Sequence, residues 1–144
     1  YTIKRYDHPE DKPRGGVAIY YKSSLPLLFK PELTKTKETL VFQAKIGNKK
    51  CFFTCVYRNP SNENSSIEKV NEFCAELNNT LESIKGKNPY MNIVIGDLNA
   101  KNTAWYGDIT DYPGSSIADI TTSYGLTQIV DRPTILNQIK NPLV

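Results

Sequence analysis

Residues 92–100 read NIVIGDLNA, an apolar run that changes abruptly into an acid and an amide. Residues 91–97 predict a strand buried on both faces, because a fully apolar strand is typical of a sheet covered by other layers. Side chains two apart in a strand point to the same face, so Asp97 and Asn99 are predicted to project together from the strand end. Gly96 allows the backbone there to bend or to be approached closely.

The composition is that of a globular protein, with 144 residues, a net charge of +3 and 39% hydrophobic residues. No apolar run approaches the roughly 20 residues that span a bilayer, so no membrane partner is expected. Residues 1–50 carry 11 Lys/Arg and 5 Asp/Glu. This basic first third is compatible with a polyanionic partner, and lysines on solvated strand faces explain it as well. Three cysteines without a CxxC pair predict structural thiols in a reducing compartment.

The first half of the chain predicts β-structure. A β-branched and aromatic strand is predicted over residues 17–21, followed by an irregular, proline-containing connection over residues 23–37. Residues 39–46 and 50–57 flank the loop Gly47–Lys49, which predicts a β-hairpin.

The second half predicts two helices and two strands. Ser65 and Glu68 fit a capping box. The apolar residues of a first helix, of about five turns, are Ile67, Val70, Phe73, Cys74, Leu77, Leu81 and Ile84. Gly86 and Pro89 are predicted to end it. A second helix is predicted from Ser115 or Ser116, with Gly125 as its stop, and residues 126–130 then predict a short strand.

Two strand ends carry side chains suited to phosphate chemistry. A carboxylate such as Asp97 can activate water or bind Mg²⁺, and the Asn99 amide can donate to a phosphate oxygen without adding charge. Tyr57 and Arg58 end the hairpin and offer a phenol and a guanidinium to a phosphate. Spacing alone favours an Asx turn that caps the strand at Asp97, and an ordinary edge tyrosine beside a surface cation would explain Tyr57 and Arg58.

Four segments occur in the order GGVAIYYK, CVYRNP, IVIGDLNAKNTAWYGD and GLTQIVDRPT. With these, the chain resembles the endonuclease/exonuclease/phosphatase superfamily, and more narrowly the apurinic-type endonuclease domain of jockey-like non-LTR retrotransposons. The resemblance runs from Tyr1 to about Asn137. It implies an α/β (α+β) fold, a deoxyribonuclease I-like layered sandwich of two mixed β-sheets with outer helices. Residues 1–144 would be a single partial domain, an internal fragment without the N-terminal and C-terminal strands.

The resemblance also implies roles for single residues. Asp97 matches the aspartate that activates the attacking water and is a possible metal ligand. Asn99 matches the asparagine that holds the phosphate and the aspartate, and Tyr57 the tyrosine that contacts the scissile phosphate. The predicted substrate-binding residues are Arg58, Asn102, Trp105 and Thr134. Trp105 could stack on a nucleotide, although a loop anchor explains it as well.

The implied activity is Mg²⁺- or Mn²⁺-dependent nicking of target DNA for retrotransposition. The implied partners are DNA and a reverse transcriptase domain of the same polyprotein, and DNA as substrate implies nuclear localisation. The family's metal-binding glutamate lies ahead of the first motif, where the chain offers only Glu10, a predicted loop residue. The family's closing aspartate and histidine follow the Pro-Thr pair, and neither occurs after Thr134. His8 is a predicted loop residue as well. The chain alone is therefore expected to be inactive. Two alternatives are a phosphatase of the same superfamily and a decayed remnant that at most binds nucleic acid weakly.

Overall fold

A computed structural model of the chain describes residues 1–7, 16–36, 38–60, 67–105 and 108–130. It comprises two compact units, residues 1–99 and residues 100–144, each of which is described by itself. Ser65, His8, Glu10 and Thr134 lie outside the described residues. The predicted capping box and the predicted site threonine therefore stay predictions, as does the predicted single domain.

The first unit contains a two-stranded sheet. Strand β1 (Thr2–Asp7) pairs antiparallel with β2 (Gly16–Tyr21), and Thr2 lies opposite Tyr21. The predicted strand at residues 17–21 is confirmed. β1 escaped prediction because its sequence, TIKRYD, is mostly polar, and the residues after Thr2 are exposed.

The second sheet of this unit has the strand order β3-β4-β5-β6. Its strands are β3 (Leu28–Phe29), β4 (Thr39–Ile46), β5 (Lys49–Tyr57) and β6 (Met91–Asp97). The predicted hairpin is β4–β5. Its loop is shorter than predicted, with only Gly47 and Asn48 between the strands, and Gly47 takes φ +60°. The connection predicted as irregular holds β3 and a 3₁₀ turn, Pro31–Leu33.

Successive side chains of β4 alternate between two apolar layers, one on each face of the sheet. Leu40 and Phe42 are buried with Val17 of β2, so they fill the space between the two sheets. Val41 points to the other face, where it is buried in a cluster with Phe52 and Ile84. Successive side chains of a strand face opposite ways, which is why one strand serves both layers.

Helix α1 (Ile67–Lys85) connects β5 to β6, which run parallel. Six of its residues are buried and follow the predicted helical spacing, namely Val70, Cys74, Leu77, Thr80, Leu81 and Ile84. Ile67, which was predicted to lie on this face, is 63% exposed. The helix ends where Gly86 was predicted to end it, and Asn88 follows with φ +48°.

The prediction that β6 is buried on both faces is wrong. Its residues are half-buried from Met91 to Val94 and exposed from Ile95 to Asp97. In the described part of the chain β6 is an edge strand, paired only with β5. β2 lies against β4 and β5 rather than β6. An apolar strand can therefore be exposed when the covering layers end before reaching it.

The second unit contains a 3₁₀ turn (Thr103–Trp105) and helix α2 (Tyr112–Ser123). α2 begins earlier than the predicted Ser115 or Ser116, because the Asp111 side chain accepts a hydrogen bond from the backbone N–H of Gly114. Gly125 follows the helix with φ +67°, as predicted for its stop.

The short strand predicted over residues 126–130 is not formed. The side chain of Ile129 is 84% exposed, and no partner strand pairs with this segment among the described residues. An apolar segment needs a partner strand to become β-structure, and local sequence alone does not supply one.

The three cysteines are unpaired thiols, as predicted. Cys51 and Cys74 are buried, and burial raises the pKa of the Cys55 and Cys74 thiols. None of the helices in the described ranges is long and apolar enough to cross a membrane.

Candidate active site

The candidate site forms where β5 and β6 end side by side. The two strands are parallel, and Tyr57 lies opposite Asp97 at the last pair of the register. The backbone N–H of Arg58 donates to the carbonyl oxygen of Asp97 over 2.9 Å, which extends the contact one residue further. The carboxyl ends of neighbouring parallel strands meet at one sheet edge, where sites commonly form. The predicted residues Tyr57, Arg58, Asp97 and Asn99 are thus brought together.

Asp97 and Asn99 are linked by a turn rather than by strand alternation. β6 ends at Asp97, and Asn99 takes φ +44°, a left-handed conformation that asparagine tolerates. The Asp97 Oδ1 atom accepts a hydrogen bond from the Asn99 backbone N–H over 3.0 Å. This is the Asx turn that the spacing also allowed. It fixes one oxygen of a carboxylate whose residue is exposed to solvent, so the turn and a chemical role for Asp97 are compatible.

The side chain of Arg58 stabilises this turn through hydrogen bonds. Its residue is only 7% exposed, and its Nε atom donates to the Leu98 carbonyl oxygen over 2.6 Å. Its Nη2 atom donates to the Asn99 carbonyl oxygen. In return, the Asn99 Nδ2 atom donates to the Arg58 carbonyl oxygen over 2.7 Å. These contacts commit two guanidinium nitrogens and one amide N–H to the protein itself, so substrate binding by Arg58 stays a prediction.

Gly96 permits the close approach of the two strands. A Cβ atom at this position would lie 1.7 Å from the carbonyl oxygen of Val56, and Gly96 takes φ +153°. Any other side chain would push β6 away from β5. The expectation that Gly96 allows close approach is confirmed, and the approaching group is the neighbouring strand.

The charge of Arg58 also reaches helix α1. Burial raises the pKa of the Cys74 thiol, and the nearby positive charge of Arg58 opposes that rise. Elsewhere on α1, burial raises the pKa of the Glu76 carboxyl, and the neighbouring carboxylates of Glu72 and Glu38 raise it further.

Tyr57 is half-buried at the edge of the core. It packs against the apolar cluster of Val17, Leu40 and Phe42 between the two sheets. Its backbone N–H donates to the Glu38 carbonyl oxygen over 2.9 Å. The ring is therefore anchored by packing, which limits the positions that its phenol can reach.

Asn102 and Trp105 belong to the second unit. Asn102 is buried, its Nδ2 atom donates to the Gly114 carbonyl oxygen over 3.2 Å, and its Oδ1 atom accepts the Ala104 N–H over 2.9 Å. Both ends of its side chain are bonded within the unit. Trp105 is half-buried at the end of the 3₁₀ turn, as its role as a loop anchor would require. Their predicted contacts with substrate stay predictions.

A brace around Asp111 organises the same unit, and sequence reasoning did not find it. Asp111 Oδ1 accepts N–H groups from Lys101 over 3.0 Å and from Gly114 over 2.7 Å. The backbone of Lys101 approaches so closely that a Cβ at Gly114 would lie 1.8 Å from its carbonyl oxygen. The available signal was the Asp-x-Pro-Gly order at residues 111–114, which is typical of a helix start.

The oxygen atoms of Asp97 and Asn99 are the groups of this site that could bind a metal ion. Asp97 and Asn99 offer carboxylate and amide oxygens, the hard ligands that Mg²⁺ prefers. Among the described residues no group of three or more His, Cys, Asp and Glu side chains could hold a metal. These residues therefore fit Mg²⁺ only as part of a larger ligand set that includes water or phosphate oxygens.

Comparison with known proteins identifies the class. The family model described as endonuclease-reverse transcriptase matches residues 51–141, more than half of the chain. The chain therefore belongs to the endonuclease-reverse transcriptase family, and the predicted superfamily membership is confirmed.

A solved structure gives a particular relative. The chain is similar to the endonuclease domain of TRAS1, a telomere-specific non-LTR retrotransposon, with a TM-score of 0.65 and 17% identity. The match covers 86% of this chain and 52% of that chain, so the chain spans about half the length of this relative. At this identity the match shows the fold, and it confirms the predicted α/β class. No curated protein matches the sequence.

Proposed function

We propose that this chain forms part of a Mg²⁺-dependent phosphodiesterase that nicks target DNA for retrotransposition. In this proposal Asp97 activates the attacking water, Asn99 positions the phosphate, and Tyr57 contacts the scissile phosphate. Membership of the endonuclease-reverse transcriptase family supports a nuclease role. The observation that carries the assignment is the register that puts Tyr57 opposite Asp97, with Asn99 bonded to the same carboxylate.

The geometry supports different roles for the four residues. Asp97 is exposed at the strand end, as a base that meets water must be. Asn99 is held by three hydrogen bonds: its backbone N–H donates to Asp97, its side chain donates to the Arg58 carbonyl oxygen, and its own carbonyl oxygen accepts from the Arg58 guanidinium. Arg58 is buried beneath both and is a positioning residue in this proposal. A fixed carboxylate–amide pair needs little rearrangement when a phosphate arrives.

A bound Mg²⁺ ion would supply charge neutralisation at the phosphate oxygens. Asp97 is the residue of the described site that would hold it, with the amide oxygen of Asn99 as the neighbouring hard donor. Mg²⁺ usually keeps several waters and binds through one or two carboxylates plus substrate phosphates. One carboxylate is the minimum of that range. We therefore propose that the chain alone is inactive and that the longer protein completes the site.

The proposed setting follows from the substrate. DNA and a reverse transcriptase domain of the same polyprotein are the partners we propose, and a nuclear location follows from DNA as substrate. The family description names both an endonuclease and a reverse transcriptase. Asn102, Trp105 and Thr134 are proposed as further substrate contacts on the ground of the sequence resemblance alone.

Nicking of supercoiled plasmid tests the assignment of Asp97. The protein to assay is the chain extended at both ends by its flanking coding sequence, with Mg²⁺ or with a chelator. We expect Mg²⁺-dependent conversion to open circles, and a fall of about 10²-fold or more for Asp97→Asn, because the amide cannot accept the proton of the attacking water. The 144-residue chain alone should give no open circles.

Asp119→Asn is the matched control, since Asp119 is an exposed acid of α2 and loses the same charge. It should nick like the unchanged protein. If Asp97→Asn nicks equally well, the role assigned to Asp97 is wrong. If the extended protein binds DNA without nicking it in Mg²⁺ or Mn²⁺, the non-catalytic remnant becomes the better account.

A further inference from the structure

Five lysines gather at the end of the first unit that lies away from Asp97. They are contributed by residues 45–50, KIGNKK, and residues 85–90, KGKNPY. These twelve residues contain five lysines and no acid. The five, which we call the lysine patch, are Lys45, Lys49, Lys50, Lys85 and Lys87.

Specific contacts bring the two segments together. The Tyr90 N–H donates to the Lys50 carbonyl oxygen over 2.9 Å, and the Lys50 Nζ atom donates to the Lys87 carbonyl oxygen over 3.1 Å. The Lys49 Nζ atom lies 3.7 Å from the centre of the Tyr90 ring. The patch is thus a feature of the tertiary fold, built from the β4–β5 hairpin and the segment between α1 and β6.

The patch is separate from the candidate active site. β5 and β6 run parallel, so Lys49 and Met91 begin the strands that Tyr57 and Asp97 end. Lys50 and Tyr57 are seven positions apart in β5, which corresponds to about 23 Å along a strand. A ligand on the patch would therefore contact the protein far from Asp97.

The stability of the fold does not explain why so many positive charges lie close together here. Lys45 lies directly opposite Lys50 in the hairpin, and like charges placed opposite each other destabilise a sheet. A lysine at the end of α1 interacts favourably with the helix dipole, which explains Lys85. That effect does not extend to the three lysines of the hairpin. Lys50 donates to the Lys87 carbonyl oxygen and Lys49 contacts the Tyr90 ring, but neither contact neutralises a lysine charge, so an anion from outside would relieve the repulsion.

We infer that the lysine patch binds the phosphate backbone of a nucleic acid. Charge complementarity favours an anion with several charges, and a nucleic-acid backbone supplies them. Tyr90 is 62% exposed beside Lys49, and a tyrosine hydroxyl, like a lysine, can donate to a phosphate oxygen of the backbone. The patch is thus a second nucleic-acid contact of this chain, and it does not depend on the proposed nuclease activity.

The test is the salt dependence of binding. The 144-residue chain is titrated into a short fluorescent DNA duplex, and separately into an RNA duplex of the same sequence, in chelator so that no cleavage can occur. Fluorescence anisotropy is measured between about 50 and 200 mM salt. For Lys45→Gln/Lys49→Gln we expect the slope of log affinity against log salt to fall by about 2, about 1 for each lysine. Lys50 is left unchanged because its hydrogen bond joins the two segments.

The matched control is Lys22→Gln/Lys35→Gln, two exposed lysines of the same basic first third that lie outside the patch. It removes the same charge and should leave the slope unchanged. Circular dichroism melting verifies that both variants are folded, and the single change Lys45→Gln replaces the double variant if it is not. A slope that falls only in the patch variant supports the inference, and the duplex on which it falls more identifies the nucleic acid.

Three results overturn it: no binding by the unchanged chain, an unchanged slope in the patch variant, or equal losses in both variants. None of these bears on nicking, which is measured with Mg²⁺ and Asp97→Asn. The two proposals can therefore fail separately.

Discussion

Arg58 has a charged side chain and is buried, a combination that proteins rarely tolerate unless the charge is hydrogen-bonded. Its guanidinium meets that condition through the carbonyl oxygens of Leu98 and Asn99. A guanidinium presents several N–H donors in a rigid fork, and it can therefore hold two successive carbonyls at once. A lysine ammonium also has more than one N–H donor, but it lacks this fixed planar geometry. The conformation of the turn after Asp97 thus depends on an arginine at the end of the neighbouring strand.

Arg58→Ala should therefore lower the free energy of unfolding by about 2–4 kcal/mol, because it leaves two half-buried carbonyl groups without their donors and removes a buried side chain. Arg5→Ala is the matched control, since the Arg5 side chain is 65% exposed and forms an ion pair with Asp7, itself 67% exposed. A change within about 0.5 kcal/mol is expected there. Urea denaturation of the chain measures both values. Equal effects at the two arginines would show that Arg58 does not hold the turn.

Local sequence predicted which residue types stand at the site, but not how each is used. Asp97, Asn99, Tyr57 and Arg58 were all singled out, and the structure places them together. Whether an arginine after a strand faces solvent or the interior depends on what lies beyond it, here the chain around Leu98, forty residues later. No local pattern records that neighbour.

At the scale of elements, the pairing of β5 and β6 fixes the site. Gly96 lies where a side chain would collide with the Val56 backbone, and the next residue in the register is the Tyr57–Asp97 pair. A change at Gly96 would therefore move Asp97 relative to Tyr57. The spacing of the two strands thus controls the chemistry at their ends.

Gly96→Ala should lower the free energy of unfolding by about 3 kcal/mol or more, because the added Cβ forces the backbones apart. Gly47→Ala provides the comparison. Gly47 also has a positive φ, +60°, but nothing lies within 4 Å of its Cβ position, so only the left-handed penalty of about 1–2 kcal/mol applies. Thermal or urea unfolding of the two variants separates collision from backbone strain. Similar losses at both glycines would contradict the collision.

Elements with strong periodicity were predicted well, and those that depend on partners were not. The hairpin and α1 have clear alternation and helical spacing, which arise from one buried face in each case. Two predictions were wrong in opposite ways: β1 is a strand that was not predicted, and residues 126–130 were predicted as a strand that is not formed. β1 is polar and becomes a strand because β2 pairs with it, whereas the apolar segment has no partner in the described structure and remains irregular.

At the scale of the whole molecule, β6 is an open edge in the described part of the chain. Ile95, the first residue of its exposed part, is 60% exposed. An apolar edge strand with free backbone groups is a template for pairing with another chain. The chain also spans 52% of the TRAS1 endonuclease structure to which it is similar. Self-association through β6 is therefore expected when these residues are expressed by themselves.

Ile95→Lys should reduce this self-association, because a charge on an edge strand disfavours pairing with a second strand. Sedimentation velocity at increasing protein concentration measures it, and the variant should stay monomeric at concentrations where the unchanged chain forms larger species. Ile109→Lys is the control, since Ile109 is 57% exposed but lies outside any strand. An equal improvement from both changes would indicate general solubility rather than an edge effect.

The sequence by itself determined the elements with strong periodicity and the residue types at the ends of two of them. The positions of the apolar residues predict β2, β4, β5 and α1. The segment GDLNA predicts an acid and an amide at a strand end. Only the tertiary structure decided how those groups are held. The Asx turn at Asp97 is local, but the Arg58 guanidinium that holds it and the exposure of β6 depend on contacts between distant segments. The lysine patch depends on them too, because residues far apart in the chain become neighbours only when strands pair.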